Sequence, residues 1–543
     1  MGAMRDRRFF VAAVLPPVVL AHLAVGVAVL AEPAVQPVPP APPRVFLDTS
    51  YHPPSGQTIA VRAGGDLQAA LNAARLGDVI TLEPGAVFQG NFALRNKTGS
   101  GWLIVRSGAP DDRLPAPGAR VTPAFTSVMP KILSPNQNPA LYTEPAAHHY
   151  RFIGIEFSTT PDVKTIYSIV AFGGTQESDS DTPHDLILDR SYVHGHSGLT
   201  SQRGVLLNSA SAAVIDSHVS EIHAPGSDAQ AILGYNGPGP FKIVNNFLEG
   251  ATENIMFGGA DPKIPGLVPS DIEIRRNHIF KPLSWLPDDP NFAGVKWPIK
   301  NLLELKNAQR VLIEGNLLEN NTETALVLTP RNQSGSAPWS VVQDVLIRNN
   351  LVRNSGTGFV ALFSDSERSS QPMKRVAIVN NLWQVRRTFF ALLSGPGVLE
   401  DLLIEHNTAV PCAYSTYLFE ARVSPALIRF RLTNNVAGFG AYGVVGGGAD
   451  STLAQVAPAA IVSKNALINL GDSGDGQGEI RNVRHGVAAT MYMAFRNAAS
   501  AGINADGTLA PTSPLRRGAT DGKDIGVDFD ELQRALRPQP VPG

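Results

Sequence analysis

Cysteine is almost missing from this sequence of 543 residues: Cys412 is the only one. An internal disulfide and a multi-cysteine metal site are therefore excluded, and the apolar neighbours in AVPCAYS mark Cys412 as a buried, inert thiol. An excess of either charge is missing too. A formal net charge of −2 gives no electrostatic case for nucleic acid or an anionic membrane surface as partner. No phosphate-cradling glycine loop, zinc-type His/Glu motif or Gly-x-Ser-x-Gly elbow occurs. Gly 50 and Pro 43 stay well below a disordered composition, and 43% hydrophobic residues suffice to fill a core.

What is present is a phrase that returns between Val244 and Asn465: IVNNFLEG, EIRRNHIF, LIEGNLLEN, LIRNNLVRN, AIVNNLWQV, LIEHNTAV, RLTNNVAG and IVSKNALI. Aligned on one asparagine, these give Asn246, Asn277, Asn316, Asn350, Asn381, Asn407, Asn435 and Asn465, with gaps of 26 to 39 residues. Periods of this length mark a repeat architecture. Helical repeats would place apolar residues at i, i+3, i+4 and i+7, and these units do not. Each instead holds short runs rich in Val, Ile, Leu and Phe between Gly, Asn, Asp, Ser and Pro, which predicts three short strands per coil. A buried corner asparagine satisfies its donor and acceptor by stacking over an asparagine one coil away. Ser191 and Ser217 occupy the same place in earlier coils.

This pattern resembles the right-handed parallel β-helix of the pectate-lyase-like superfamily over residues 56 to 530. The resemblance implies an all-β solenoid of about ten coils and activity on polysaccharides, particularly uronic-acid ones, as lyase, hydrolase or epimerase. Adhesins and non-catalytic glycan-binding surfaces share the fold, so fold alone does not assign function. HGHSG at His194 to Gly198 is similar to the Gly-His-Gly turn of polygalacturonase-like hydrolases, without coil-spaced aspartates ahead of it. Thr182-Pro183-His184-Asp185 resembles the Asp-Pro-His-Asp of mannuronan epimerases but lacks the first Asp. At ENIMFGGAD, Glu253 matches the Glu-rich strand of alginate and chondroitin B lyases, while the position of their lysine is Gly.

Along the chain, residues 1–31 have a basic start, an apolar middle and small residues before Glu32, which predicts a secretory signal and a secreted or periplasmic protein without stable membrane insertion after cleavage. The alternative is a retained membrane anchor, for which the apolar run is long enough although Pro16 and Pro17 break it. Residues 32–55 read as a Pro-rich linker. Residues 56–95 hold an N-terminal cap, with Asp66 capping a helix whose Leu67, Ala70, Leu71 and Ala74 share one face. The β-helix spans 96–480, and 481–543 form a C-terminal cap and tail. A monomer is expected.

Strand alternation then selects candidate site residues. With Ile255 and Phe257, Leu303 and Leu305, Leu326 and Leu328, and Val360 and Leu362 facing inward, Tyr235, Met256, Gly258, Glu304, Lys306, Val327 and Thr329 face outward, with Asp261, Arg331 and Asp365 beyond the strand ends. The insertion 281–300 carries Trp285 and Trp297, whose flat faces suit sugar rings or pin the loop to the wall. Cleavage of a uronic-acid polymer by β-elimination needs a cation on the carboxylate and a base for the proton beside it. Arg331 is the expected clamp and Lys306 the expected base, with Glu304 orienting and Asp261, Tyr235, Trp285, Trp297 and Asn307 binding substrate. Oxygen ligands such as Asp261, Asn236 and Asn307 would suit Ca²⁺, though no loop has a metal-specific spacing. His148 and His149, adjacent on a strand, are expected to point to opposite faces and so to be poor joint ligands.

Overall fold

A buried asparagine amide must find acceptors for two N–H groups and donors for one oxygen, and the solenoid supplies both from coil to coil. In the computed structural model, Nδ2 of Asn316 donates to Oδ1 of Asn350 at 2.9 Å and to the Ile274 carbonyl at 2.9 Å, while its backbone N–H donates to the same Oδ1 at 2.9 Å. The pattern repeats from Asn246 to Asn465 without a break. Ser217 continues it below by donating its N–H to Asn246, and Ser191 by donating to the Ser217 hydroxyl. The residue before each ladder asparagine adopts a left-handed conformation, among them Asn245, Arg276, Asn349, Asn380, His406, Asn434 and Lys464. That residue turns the chain sharply enough to aim the amide inward.

The structure describes residues 35–365, 367–393, 397–410, 419–421, 427–439, 444–445, 457–469 and 492–537. The signal segment 1–31, Cys412 and the boundary near 480 lie outside the described residues. Every ladder pairing is parallel, and three strands make a coil, such as Phe241–Val244, Phe247–Gly250 and Glu253–Phe257. The first strands of the coils form a sheet of 14, and the other 24 strands form the second and third faces. The chain is thus a right-handed parallel β-helix. Fourteen strands in the first sheet exceed the expected ten or so coils, because Thr58–Val61, Val79–Leu82, Leu103–Ser107 and His148–Ile153 stack ahead of the coil in which the ladder begins at Ser191. Inward residues such as Ile274, Ile313, Ile347, Ile378 and Ile404 are fully buried in one continuous core.

The helix Leu67–Ala73 is present, its N-terminus capped by Asp66 accepting from the Ala69 N–H at 2.9 Å, and its Leu67, Ala70 and Leu71 join the core. At the other end, the chain from Thr520 runs back along the ladder corner. Asn434 accepts from the Thr520 N–H at 2.9 Å, Asn380 from the Asp528 N–H at 2.6 Å, and Asn349 donates to Glu531 at 3.1 Å. The terminal helix Phe529–Leu536 packs Leu532 against Leu382. This segment lies on the side of the solenoid.

The Pro-rich stretch has a specific seat. In PVPPAPPR (37 to 44), Val38, Ala41 and Arg44 are every third residue and the only ones with an N–H to give between Pro37 and Arg44. Their amides donate to Asp401 at 2.9 Å, Asp344 at 3.0 Å and Asp271 at 2.8 Å. These aspartates sit on alternate coils of the first sheet, and Arg310, Arg375 and Arg429, each on the coil that follows, reach back to clamp Asp271, Asp344 and Asp401 in turn. A polyproline helix advances about 9.3 Å per three residues, and two strand spacings are about 9.6 Å. The two repeats match, so one turn of strap spans two coils. Beyond Arg44, Lys242 donates to the Leu47 carbonyl at 2.9 Å and Arg151 to the Thr49 carbonyl at 2.9 Å. Ala41→Pro keeps the polyproline geometry and deletes one N–H. It should loosen the strap by about 1.5–3 kcal/mol, the usual worth of a hydrogen bond to a charged group, seen as faster hydrogen exchange at the Val38 and Arg44 amides. Unchanged exchange at both would refute the matched-repeat account.

Candidate functional site

The outward face of the third sheet carries the expected charged patch. In register across three neighbouring strands stand Met256, Glu304 and Val327. Lys306 follows the strand Leu303–Leu305, and Arg331 lies just past the strand Leu317–Leu328. The two cations are on adjacent coils, tied by a hydrogen bond from the Arg331 N–H to the Lys306 carbonyl at 2.9 Å. Nζ of Lys306 is 3.6 Å from Oε1 of Glu304, with its side chain 15% exposed. The other Glu304 oxygen accepts from Asn301 at 3.0 Å. The Arg331 guanidinium turns toward the next coil, 3.2 Å from Glu367 and 3.9 Å from Asp365.

The remaining expected substrate residues have partners of their own. Asp261 accepts from the N–H groups of Ser334 and Ser336 and from the Ser336 hydroxyl, each at 2.9 Å, and so shapes the loop after Arg331. Asn307 accepts from the Val341 N–H at 3.2 Å and donates to the Leu267 carbonyl at 3.3 Å. Asn236 spends its amide on the Gly174 and Gln176 carbonyls and accepts from the Lys263 N–H. Each of the three is thus engaged with a different part of the chain, while Oδ1 of Asp261 is buried without a hydrogen-bond partner. Tyr235 is buried with Ala171, Leu206, Leu233 and Met256 in an apolar platform on the outward side. Trp297 stacks on His223 with ring centroids 4.0 Å apart, and Trp285 meets the same imidazole edge-on at 5.5 Å. Both tryptophans thereby fix the insertion to the wall.

One strand faces the other way from its expected reading. Phe359 and Ala361, not Val360 and Leu362, are buried, because Leu326 pairs with Phe359 and Leu328 with Ala361. Both parities of this strand are apolar, so alternation could not choose between them.

Three groups beside the patch were not among the expected site residues. Ser168, Arg203, Gln230 and Glu253 stand in one column across four strands, and each carries a buried polar atom without a partner. Burial, followed by the nearby charges of Glu304 and Asp228, pushes the Glu253 carboxyl up from its ordinary value. Glu249, buried on the preceding strand of the same coil, is pushed up to about 7 by burial. Lys281 at the root of the insertion is fully buried, its Nζ donating to the Gly250, Ala251 and Thr252 carbonyls and to Asn254 at 2.7 to 3.2 Å. Its burial holds the ammonium below the usual lysine range. Composition marks none of these, since an inward acid at a strand start reads as a surface charge until the corner is built.

No protein-family model matches the chain, and no curated protein matches it. Among solved structures, the likeness includes a family 6 alginate lyase, AlyGC, at 13% identity and a TM-score of 0.43, over 89% of this chain and 59% of that one. It also includes the A-module of the mannuronan C-5 epimerase AlgE6 of Azotobacter vinelandii, at 12% identity and a TM-score of 0.48, over 74% of this chain and 93% of that one. A third is the catalytic unit of an α-1,3-glucanase from Streptomyces thermodiastaticus, at 12% identity and a TM-score of 0.48, over 78% of this chain and 72% of that one. The chain thus spans 59% of the length of the alginate lyase.

Proposed function

Taking the parallel β-helix as premise, we propose that the outward face over residues 233 to 365 binds an acidic polysaccharide and cleaves it by β-elimination. The observation that carries this reading is the placement of Lys306 and Arg331 on adjacent coils, joined through the backbone, with Glu304 at 3.6 Å from the lysine. Arg331 meets the uronate carboxylate and favours the carbanion-like state that forms beside it. Lys306, deprotonated, takes the proton on the carbon next to that carboxylate. The electron pair forms the new carbon–carbon double bond, the glycosidic C–O bond breaks, and the leaving oxygen collects a proton from solvent. Glu304 holds the lysine in place. The platform around Met256 and Tyr235 offers apolar surface alongside.

A second reading has its own observation. Asp365 and Glu367 already neutralise Arg331, an arrangement that suits a binding groove whose acids hold the cation in position. A screen of pectate, alginate, glycosaminoglycans and neutral glycans separates the readings. Lyase chemistry gives both ultraviolet absorbance from the unsaturated product and new reducing ends, hydrolysis gives reducing ends only, and a binder gives neither. Reducing ends without absorbance, or neither signal on any acidic polymer, would overturn the lyase reading.

A further inference from the structure

Two neighbouring strands of the first sheet, His148–Ile153 and His184–Asp189, begin with four ligand-type side chains in a two-by-two array. The register sets His184 directly over His148. His149 and Asp185, the second residues, are both left-handed, with φ of 59° and 54°. In a regular strand consecutive side chains point to opposite faces, and the left-handed residue removes that alternation. Four groups expected on two faces therefore meet on one.

The contacts are those of ligand atoms crowding one point. Nδ1 of His148 and Nδ1 of His149 lie 2.8 Å apart, Nδ1 of His184 is 2.6 Å from Oδ2 of Asp185, and Nδ1 of His149 is 3.7 Å from the same oxygen. The His148 and His184 rings stack at 4.9 Å with 7° between planes. One ligand atom from each of His149, His184 and Asp185 falls within 4.8 Å of the others. We propose that His149, His184 and Asp185, with His148 beside them, form a site for a divalent transition-metal ion of the zinc type, clipping two coils together. A tetrahedral ion with bonds of about 2.0–2.1 Å sets its ligand atoms about 3.3 Å apart, and the observed separations bracket that value. Imidazoles with a single carboxylate suit zinc, nickel or copper and fit calcium or magnesium poorly. The side chains are about one-third exposed, so the ion has an entry path and room for a water. Trp102 lies with its ring 5.3 Å from that of His149, within reach of quenching by a bound paramagnetic ion.

The full chain, stripped with a chelator and desalted, is titrated with ZnCl2 by calorimetry and with CuCl2 while tryptophan emission is followed. One zinc per chain is expected, with affinity weakened at least about tenfold, or 1.4 kcal/mol, by His149→Asn and by His184→Ala. Asparagine tolerates the left-handed conformation, so His149→Asn leaves the local backbone intact, and an unchanged metal-free melting temperature verifies it. His196→Ala should bind as the parent does, and Trp102→Phe should lose most of the copper quench. Absence of zinc binding, or equal affinity in the parent and both site variants, would overturn the site.

Discussion

Lys306→Ala should lower turnover of the acidic polymer by on the order of 10²-fold or more, the usual cost of losing a general base, while leaving binding nearly intact. Arg331→Ala should weaken both, since the clamp holds the substrate carboxylate before and during proton removal. The two outcomes differ because the residues act at different stages. The lysine matters only as the C–H bond opens, whereas the guanidinium meets a charge that the ground state already carries. Lys306→Ala also strips Glu304 of its ion-pair partner at 3.6 Å, so Glu304→Gln in the same background keeps the comparison free of an unpaired buried carboxylate. Initial rates by ultraviolet absorbance and binding by calorimetry on a resistant oligomer decide the matter. A rate within about twofold of the parent for Lys306→Ala, far from the general-base loss, would remove the lysine from the chemistry even with the fold unchanged.

The second large effect is structural. Asn350→Ala removes a side chain that donates to Asn381 at 2.9 Å and to the Ile313 and Arg348 carbonyls at 2.9 and 3.0 Å. It also removes the oxygen that accepts from the Asn316 amide and backbone N–H. At about 1–3 kcal/mol for each buried group left unsatisfied, the cost should reach about 3–5 kcal/mol and show as a lower melting temperature and urea midpoint. Asn350→Ser should recover part of it, since serine holds the same corner at positions 191 and 217. A melting temperature for Asn350→Ala equal to that of the parent would mean that the ladder follows the fold without supporting it.

The ladder could be read from sequence because a buried amide at a tight corner admits few substitutes, so the solution recurs as a visible letter. Inward positions such as Leu303 and Leu305 were legible because the residue between them, Glu304, is polar. Alternation gave out at Phe359 and Ala361, where both parities are apolar. It failed differently at His149, whose left-handed backbone turns a side chain without leaving a trace in composition. Of the site, the Glu304–Lys306 pair follows from local spacing. The Asp261 contacts reach across 73 and 75 residues, and no local pattern encodes them.

The proline strap has a consequence for the order of events in folding. Its first anchor, Val38, belongs to Asp401, 363 residues downstream, the next to Asp344 and the next to Asp271. A segment synthesised near the start can therefore seat itself fully only after the coil of Asp401 exists, and loop closure over such a separation comes late. The coils can stack one on another as they emerge, each needing only its neighbour, while the strap waits for the last of its partners. Its docking then joins residues 38 to 44 to coils spread over 130 positions of the chain, turning a series of nearest-neighbour contacts into one cooperative body.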